Sequence, residues 1–371
     1  MTIIAQALLE RWMRQYYFDT EIDIASSGVQ SFSLAELREL LDLTQEEMDS
    51  IVFDDSKTLG GEGLRTALGC RYGNGDPGTV IATHGSSEAI FLIMSALIRP
   101  GDEVVILDPI YQQFYSIGES LGANYKHWPL RFEQRFVPDV AEAKGLIGSR
   151  TRAVVVNFPH NPTGASLSIA EQKELVEAVA GVGAYLVWDG AFAEMSYDTE
   201  PLPDPFNLYE RAISMGTLSK AFGLPGLRVG WCLAPPAVLA NCVHLRDYLT
   251  LHLSPLVELI AQRAIEKADV LLSVRRTQIK RNLAVVTQWV EENSESVEWV
   301  PPRGGVCTFL RLRRIDNVEA FCHRLAKQHK VLLVPGNCFN RPQHVRLGFG
   351  SATAELREGL FRLSEALQVY R

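Results

Sequence analysis

The chain has 371 residues, 47% hydrophobic and 22% charged, a composition that excludes disorder and leaves room for two globular domains. Its 36 basic and 44 acidic residues give a formal charge of −8, which argues against nucleic acid or an anionic membrane as partner and points to small molecules. None of the six cysteines falls in a C-x-x-C spacing. No disulfide framework or metal site is therefore expected, and a reducing compartment, the cytoplasm, fits best.

In chain order, MTIIAQALLERWMRQYYF places charges and apolar residues at helical spacing, without the basic head and apolar block of a secretion signal. No apolar run reaches about 18 residues, so no membrane-spanning helix is expected. From about residue 79, β-rich runs alternate with helical patterns: TVIAT then SSEAIFLIMSALI; EVVIL then QQFYSIGESLG; RAVVVNF then IAEQKELVEAVAG; then AYLVWD and RAISMG. Apolar strands separated by amphipathic helices predict a largely parallel sheet covered on both faces, with ligands held at the carboxyl ends of the strands. Residues 235–294 read as mostly helical. Beyond them VEWV, GVCTFLRL, VLLV and HVRLGF read as strands, with VEAFCHRLAKQH and ELREGLFRLSEALQVY as helices. The expected organisation is α/β: residues 46–275 form a large domain, and 1–45 with 276–371 form a smaller α+β domain, the N-terminal 45 or so residues packing against the rest of it.

The loops at the predicted strand ends carry the chemistry. HGSSEA follows a strand and opens a helix, so Ser86, Ser87 and the backbone N–H groups suit either a phosphate or an ordinary helix cap. NPTG at 161–164 has the composition of a turn. Asp189 ends an apolar strand as a cap or as the partner of a cation. Lys220 sits in GTLSKAFGLPGLRVGW with Arg228 eight residues behind it, and a lysine in so apolar a stretch is costly unless paired or chemically used. Together these parts suit an aldehyde cofactor with a phosphate handle and a pyridine nitrogen, pyridoxal phosphate. Lys220 supplies the Schiff base, Asp189 keeps the ring nitrogen protonated, and Ser87 with Arg228 balances the phosphate. The glycines around Lys220 are expected to let the backbone approach the cofactor.

The ordered set GSSEA, P-x-Y at 109–111, NPTG, Asp189, Lys220, Arg228 and Arg346 in HVRLGFG resembles the fold-type I aminotransferase superfamily, class I/II. The resemblance implies that Tyr111 stacks on the pyridine ring, Asn161 hydrogen-bonds its hydroxyl, Thr217 helps bind the phosphate and Arg346 pairs with a substrate α-carboxylate. It also implies a homodimer with the site at the interface. Two positions depart from the pattern: Phe192 stands where a tyrosine usually follows the aspartate, and SKTLGGEGLR lacks the tyrosine many relatives send to the neighbouring subunit's phosphate. DIASSGVQSF, THGSSEA, VVNFPHNPTGA, GTLSKAFGLPGLRVGWC, RDYLTLHLSPLVE and PRGGV are more closely similar to hydroxyarginine cyclases of the capreomycidine synthase kind.

That resemblance implies loss of water from a hydroxylated arginine and closure of a cyclic guanidine. A β-hydroxyl leads to a six-membered ring and a γ-hydroxyl to a five-membered one of the enduracididine type. An ordinary amino-acid aminotransferase is the alternative; a cofactor-binding regulatory module would need a DNA-binding domain for which the acidic chain has no spare residues. The resemblance also implies that the N-terminal segment closes over the site, so groups for acid/base work and guanidinium binding are expected from it, namely Glu21, Asp23, Ser26, Ser27 and Gly28, and from His84 ahead of the phosphate loop, unless that histidine makes a structural hydrogen bond.

Overall fold

A computed structural model describes residues 4–197 and 200–369. Its core is a seven-stranded sheet in the spatial order Val80–Thr83, Gly230–Leu233, Ala212–Thr217, Tyr185–Asp189, Thr151–Asn157, Glu103–Asp108, Asn124–Pro129. Every pairing is parallel except those of Gly230–Leu233, which runs antiparallel to both neighbours. The central strands are apolar because helices cover both faces: AVVV at 153–156 is fully buried, as is LVW at 186–188.

Two strands go beyond the five expected in this sheet. Asn124–Pro129 is an edge strand whose only fully enclosed side chain is Trp128, so its sequence NYKHWP lacks an apolar run. Gly230–Leu233 is hidden in the glycine-rich stretch behind Lys220. Its reversed direction matters for the site: Arg228, which precedes this strand, lies at the edge where the parallel strands end.

The second part is an antiparallel sheet in the order Val334–Pro335, His344–Gly348, Cys307–Leu312, Val297–Glu298, with helices Val318–Gln328 and Thr353–Gln368. The N-terminal segment is tied to this part by a short parallel pairing of Ile22–Asp23 with Val331–Leu332. Helix Ala268–Glu292 runs from one part to the other across the boundary expected at 275/276. The first predicted helix occupies Leu8–Tyr16 and the last ends at Gln368; Met1–Ile3 and Tyr370, included in those two expectations, lie outside the described residues. Among the described residues no helix is long and apolar enough to cross a membrane, and no cluster of histidine, cysteine or acidic residues could hold a metal ion.

Candidate active site

The loops following five parallel strands and the start of the antiparallel one meet at a cavity of about 590 Å³. On its floor Ser86 and Ser87 open helix Gly85–Leu97 beside Ser219 and Arg228, whose Nη1 donates to Ser219 Oγ at 3.2 Å. This cup requires glycine: Gly85 has φ +74°, and a Cβ there would lie 2.4 Å from Arg228 Nη2. A Cβ on Gly230 would lie 2.5 Å from the Gly85 carbonyl carbon, so the Arg228 hairpin can close on the helix start only with both side chains missing. The helix N-terminus, two hydroxyls and a guanidinium together suit a phosphate.

Asp189 is 7% exposed, and its Oδ1 accepts from Ala191 N–H at 2.9 Å. Burial pushes this carboxyl up to about 6, against the downward pull of that N–H and of Lys220. A carboxylate so desolvated gains most from a cation placed directly on it, and a protonated pyridine nitrogen is such a partner. Lys220 Nζ donates to Ser27 Oγ at 3.3 Å. Burial lowers its pKa, and the positive charge of Arg346 adds to the effect while Glu10 opposes it, so the amine is held ready to lose its proton. Phosphate cup, buried carboxylate and depressed lysine in one cavity fit pyridoxal phosphate.

Above this floor lies an arginine fork. Of the five N–H groups of an arginine, Nε and Nη2 of Arg346 donate to the Ala25 carbonyl at 3.1 and 2.9 Å, and Nη1 donates to Asn161 Oδ1 at 3.2 Å. One N–H on each terminal nitrogen is left for a carboxylate. Tyr111 lines the cavity with its hydroxyl donating to Glu10 Oε1 at 2.6 Å. Phe192 is buried in the wall, so the position offers no hydroxyl. His160 ties two of the loops together, with Nε2 2.6 Å from the Pro109 carbonyl and Nδ1 2.7 Å from Thr163 Oγ1.

The structure thus brings together Ser26, Ser27, Ser86, Ser87, Tyr111, Asn161, Asp189, Phe192, Lys220, Arg228 and Arg346 around one cavity. Five expected residues lie outside its lining. Asp23 Oδ1 accepts from Ala25 N–H and Ser26 N–H at 2.8 and 2.9 Å, capping the turn that presents the two serines. Glu21 points to the surface, paired with Arg362 at 2.9 Å. His84 precedes the phosphate loop, but its Nδ1 lies 3.3 Å from Glu88 Oε2, the structural alternative weighed for it. Thr217 Oγ1 donates to the Val229 carbonyl at 3.0 Å inside the hairpin, so its hydroxyl holds the Arg228 turn. Gly28 is a packing position: its carbonyl oxygen would lie 2.1 Å from a Cβ on Gly350.

The reason given for the glycines near Lys220 also changes. Gly216 makes room for the Trp231 ring, and Gly223, at φ +69°, for the carbonyl of Gln30 in the N-terminal segment. Both glycines thus serve the packing of the lysine loop against neighbouring protein. Glu10, Gln112, Gln113, Ser116 and Ser219 are polar residues of the cavity lining that the sequence did not single out. Ser219 adjoins the lysine and was within reach, whereas Glu10 sits in an ordinary amphipathic helix.

A family model described as aminotransferase class I and II matches residues 58–363. The chain belongs to the aminotransferase class I and II family. Within it, the chain is 44% identical to capreomycidine synthase of Streptomyces vinaceus over 97% of its own length and 93% of the relative's. It is 30% identical to the arginine–pyruvate transaminase AruH of Pseudomonas aeruginosa over 78% of this chain and 75% of that one. Among solved structures it is similar to the PLP-dependent cyclase OrfR, with a TM-score of 0.95, 42% identity and coverage of 99% and 98%.

Proposed function

We propose that the enzyme removes water from a hydroxylated L-arginine and closes a guanidine nitrogen onto the side chain, giving a cyclic guanidine amino acid. The observation that carries this reading is the 44% identity to capreomycidine synthase across 97% of the chain. Bound pyridoxal phosphate would supply an electron sink for charge developing at the substrate α-carbon.

The chain's own residues do the rest. Ser86, Ser87, Ser219 and Arg228 would hold the phosphate, Asp189 would hold the ring nitrogen, and Asn161 with Tyr111 would position the ring. Arg346 orients the substrate carboxylate with its remaining N–H pair. Lys220 Nζ, its proton affinity lowered by burial, would be the group that holds the cofactor aldehyde and the base placed to take the substrate α-proton. Phe192 would give the ring oxygen no hydroxyl donor, so the electronics of a bound cofactor would be tuned differently from those of relatives with a tyrosine at this position. Residues 46–275 form the domain that binds the cofactor, and 1–45 with 276–371 the domain that closes on it.

The same reading includes a homodimer in the cytoplasm. In its support, exposed Val52, Phe53, Tyr248, Leu249 and Leu251 lie on two segments joined by His252 Nε2 to Asp55 Oδ1 at 3.0 Å. Thr250, on the second segment, donates to Glu88 of the phosphate loop helix, so this apolar surface adjoins the site. The six cysteines are free thiols, as a reducing compartment requires. The test of the activity is mass spectrometry of products from β- and γ-hydroxyarginine without a 2-oxo acid; product formed only when a 2-oxo acid is added would return the chain to the aminotransferases.

A further inference from the structure

A hydroxyarginine brings a guanidinium into a cavity already lined by Lys220, Arg228 and Arg346. A fourth cation in a partly desolvated site needs an anion on it, since an unpaired buried charge costs several kcal/mol. Among the residues lining the cavity only Asp189 and Glu10 are acidic. Asp189 lies on the floor at the end of its strand and is assigned to the cofactor ring. Glu10 lies on the opposite side, on helix Leu8–Tyr16, half-buried.

This helix is fastened where it stands. Trp12 Nε1 donates to the Leu333 carbonyl at 3.0 Å, Leu8 N–H donates to Gln112 Oε1 at 2.8 Å, and Gln112 Nε2 returns a bond to the Gln6 carbonyl at 2.9 Å. Tyr16 is hydrogen-bonded to His323. Glu10 is fixed in turn by the Tyr111 hydroxyl on its Oε1 at 2.6 Å. A carboxylate held by one donor on one oxygen keeps further acceptor positions for a guanidinium. Burial raises the pKa of the Tyr111 hydroxyl and Glu10 adds to the rise, while at Lys220 burial and Arg346 lower the pKa and Glu10 opposes them.

We infer that Glu10 is the specificity-determining residue for guanidine-bearing amino acids, pairing with the substrate guanidinium while Arg346 holds the carboxylate. The inference rests on the hydroxyarginine reading above and assigns the group that reading left without a partner once Asp23 and Glu21 were found capping a turn and facing solvent.

The test measures dissociation constants of the cofactor-loaded enzyme by calorimetry for L-arginine, L-citrulline and L-norleucine, in wild type and Glu10→Gln. Glutamine keeps an acceptor for Tyr111, so the hydroxyl contact is preserved while the charge is lost. The expected result is an arginine dissociation constant raised about tenfold or more, with citrulline and norleucine within about twofold of wild type. Wild-type affinity for arginine in Glu10→Gln, or an equal loss for all three ligands, would overturn the assignment. A wild-type enzyme that binds arginine no better than norleucine would instead overturn the guanidine-substrate reading, so the two failures are separable. Tyr111→Phe provides the second variant: it is expected to keep the preference for arginine over norleucine, and loss of that preference with Glu10 intact would place the selectivity on the tyrosine.

Discussion

The floor and the roof of the cavity are built on different principles. The floor is assembled from loops at the ends of adjacent strands, so each functional residue sits within a few positions of a secondary-structure boundary and carries a local signature: GSSE before a helix, Asp189 at a strand end, Lys220 and Arg228 on the two sides of a hairpin. The roof is assembled from a helix and an extended segment that reach the site through tertiary contacts with residues more than a hundred positions away, such as Trp12 with Leu333 and Arg346 with Ala25. Floor residues are positioned by the local chain at strand ends, whereas roof residues are positioned by packing between distant parts of the chain.

That comparison is sharpened first by removing the residue on which the floor's chemistry centres. Lys220→Ala is expected to lower turnover by a factor on the order of 10³ or more, because the proton acceptor at the α-carbon is lost. Borohydride reduction of the wild type should fix the cofactor on the Lys220 peptide, and a label on another lysine would contradict the assignment. Next comes the junction of floor and roof. Arg346→Lys replaces a fork with a single ammonium and should cost about 1.5–3 kcal/mol of substrate binding, roughly 10–100-fold in kcat/KM, for every amino-acid substrate alike. Steady-state kinetics with guanidine-bearing and simple amino acids would check this.

Gly85→Ala tests the packing of the phosphate cup. Its added Cβ would fall 2.4 Å from Arg228 Nη2 in a backbone conformation of φ +74°, so cofactor affinity should fall about tenfold or more, read by equilibrium dialysis. An unchanged dissociation constant would mean that Arg228 is free to move.

The loops themselves depend on pH through His160. Burial holds its pKa down to about 4 from the ordinary 6.5, and its neutral ring bridges the Pro109 carbonyl and Thr163. The unfolded chain therefore binds a proton that the folded one refuses between pH 6.5 and 4, and stability falls as pH falls through that window. The slope from one such histidine approaches about 1.4 kcal/mol per pH unit. His344, also buried and held down to about 4, acts in the same direction. Asp189 and Asp204, raised to about 6 by burial, act in the opposite direction over part of that window, so the contribution of His160 is read by difference: in urea unfolding at pH 7 and near pH 4.5, His160→Gln should lose less stability on acidification than the wild type, and an identical pH dependence in the two would rule the mechanism out.

The smallest expected effect is at Asp23. Asparagine keeps the Oδ1 acceptor for the Ala25 and Ser26 N–H groups, so Asp23→Asn should leave cyclisation within a factor of about three. A large, guanidine-selective loss would put the substrate's far end back in this segment.

How much of this was legible follows the same division. The parallel sheet and the floor could be read because apolar strands and the glycine, serine and proline loops between them are local features. The strand Asn124–Pro129 could not, because an edge position removes the apolar run that marks its neighbours. Asp followed by small residues is also the signature of a capped turn, and Asp23 caps such a turn outside the cavity lining. Glu10 was invisible for a physical reason. In LLERWMRQY the buried face is Leu9, Trp12 and Tyr16, and a glutamate next to it looks like any solvated helix residue until the helix is seen lying over the cavity. Thr217 shows the reverse error, a hydroxyl in the right loop turned inward to the hairpin backbone.

The measurement that bears most directly on the account is the product mass after incubating the cofactor-loaded enzyme with β- or γ-hydroxyarginine and no 2-oxo acid. The account predicts a product equal to substrate less one water, with the α-amino nitrogen retained. Unchanged substrate under those conditions, with stoichiometric transfer of that nitrogen once a 2-oxo acid is supplied, would contradict it.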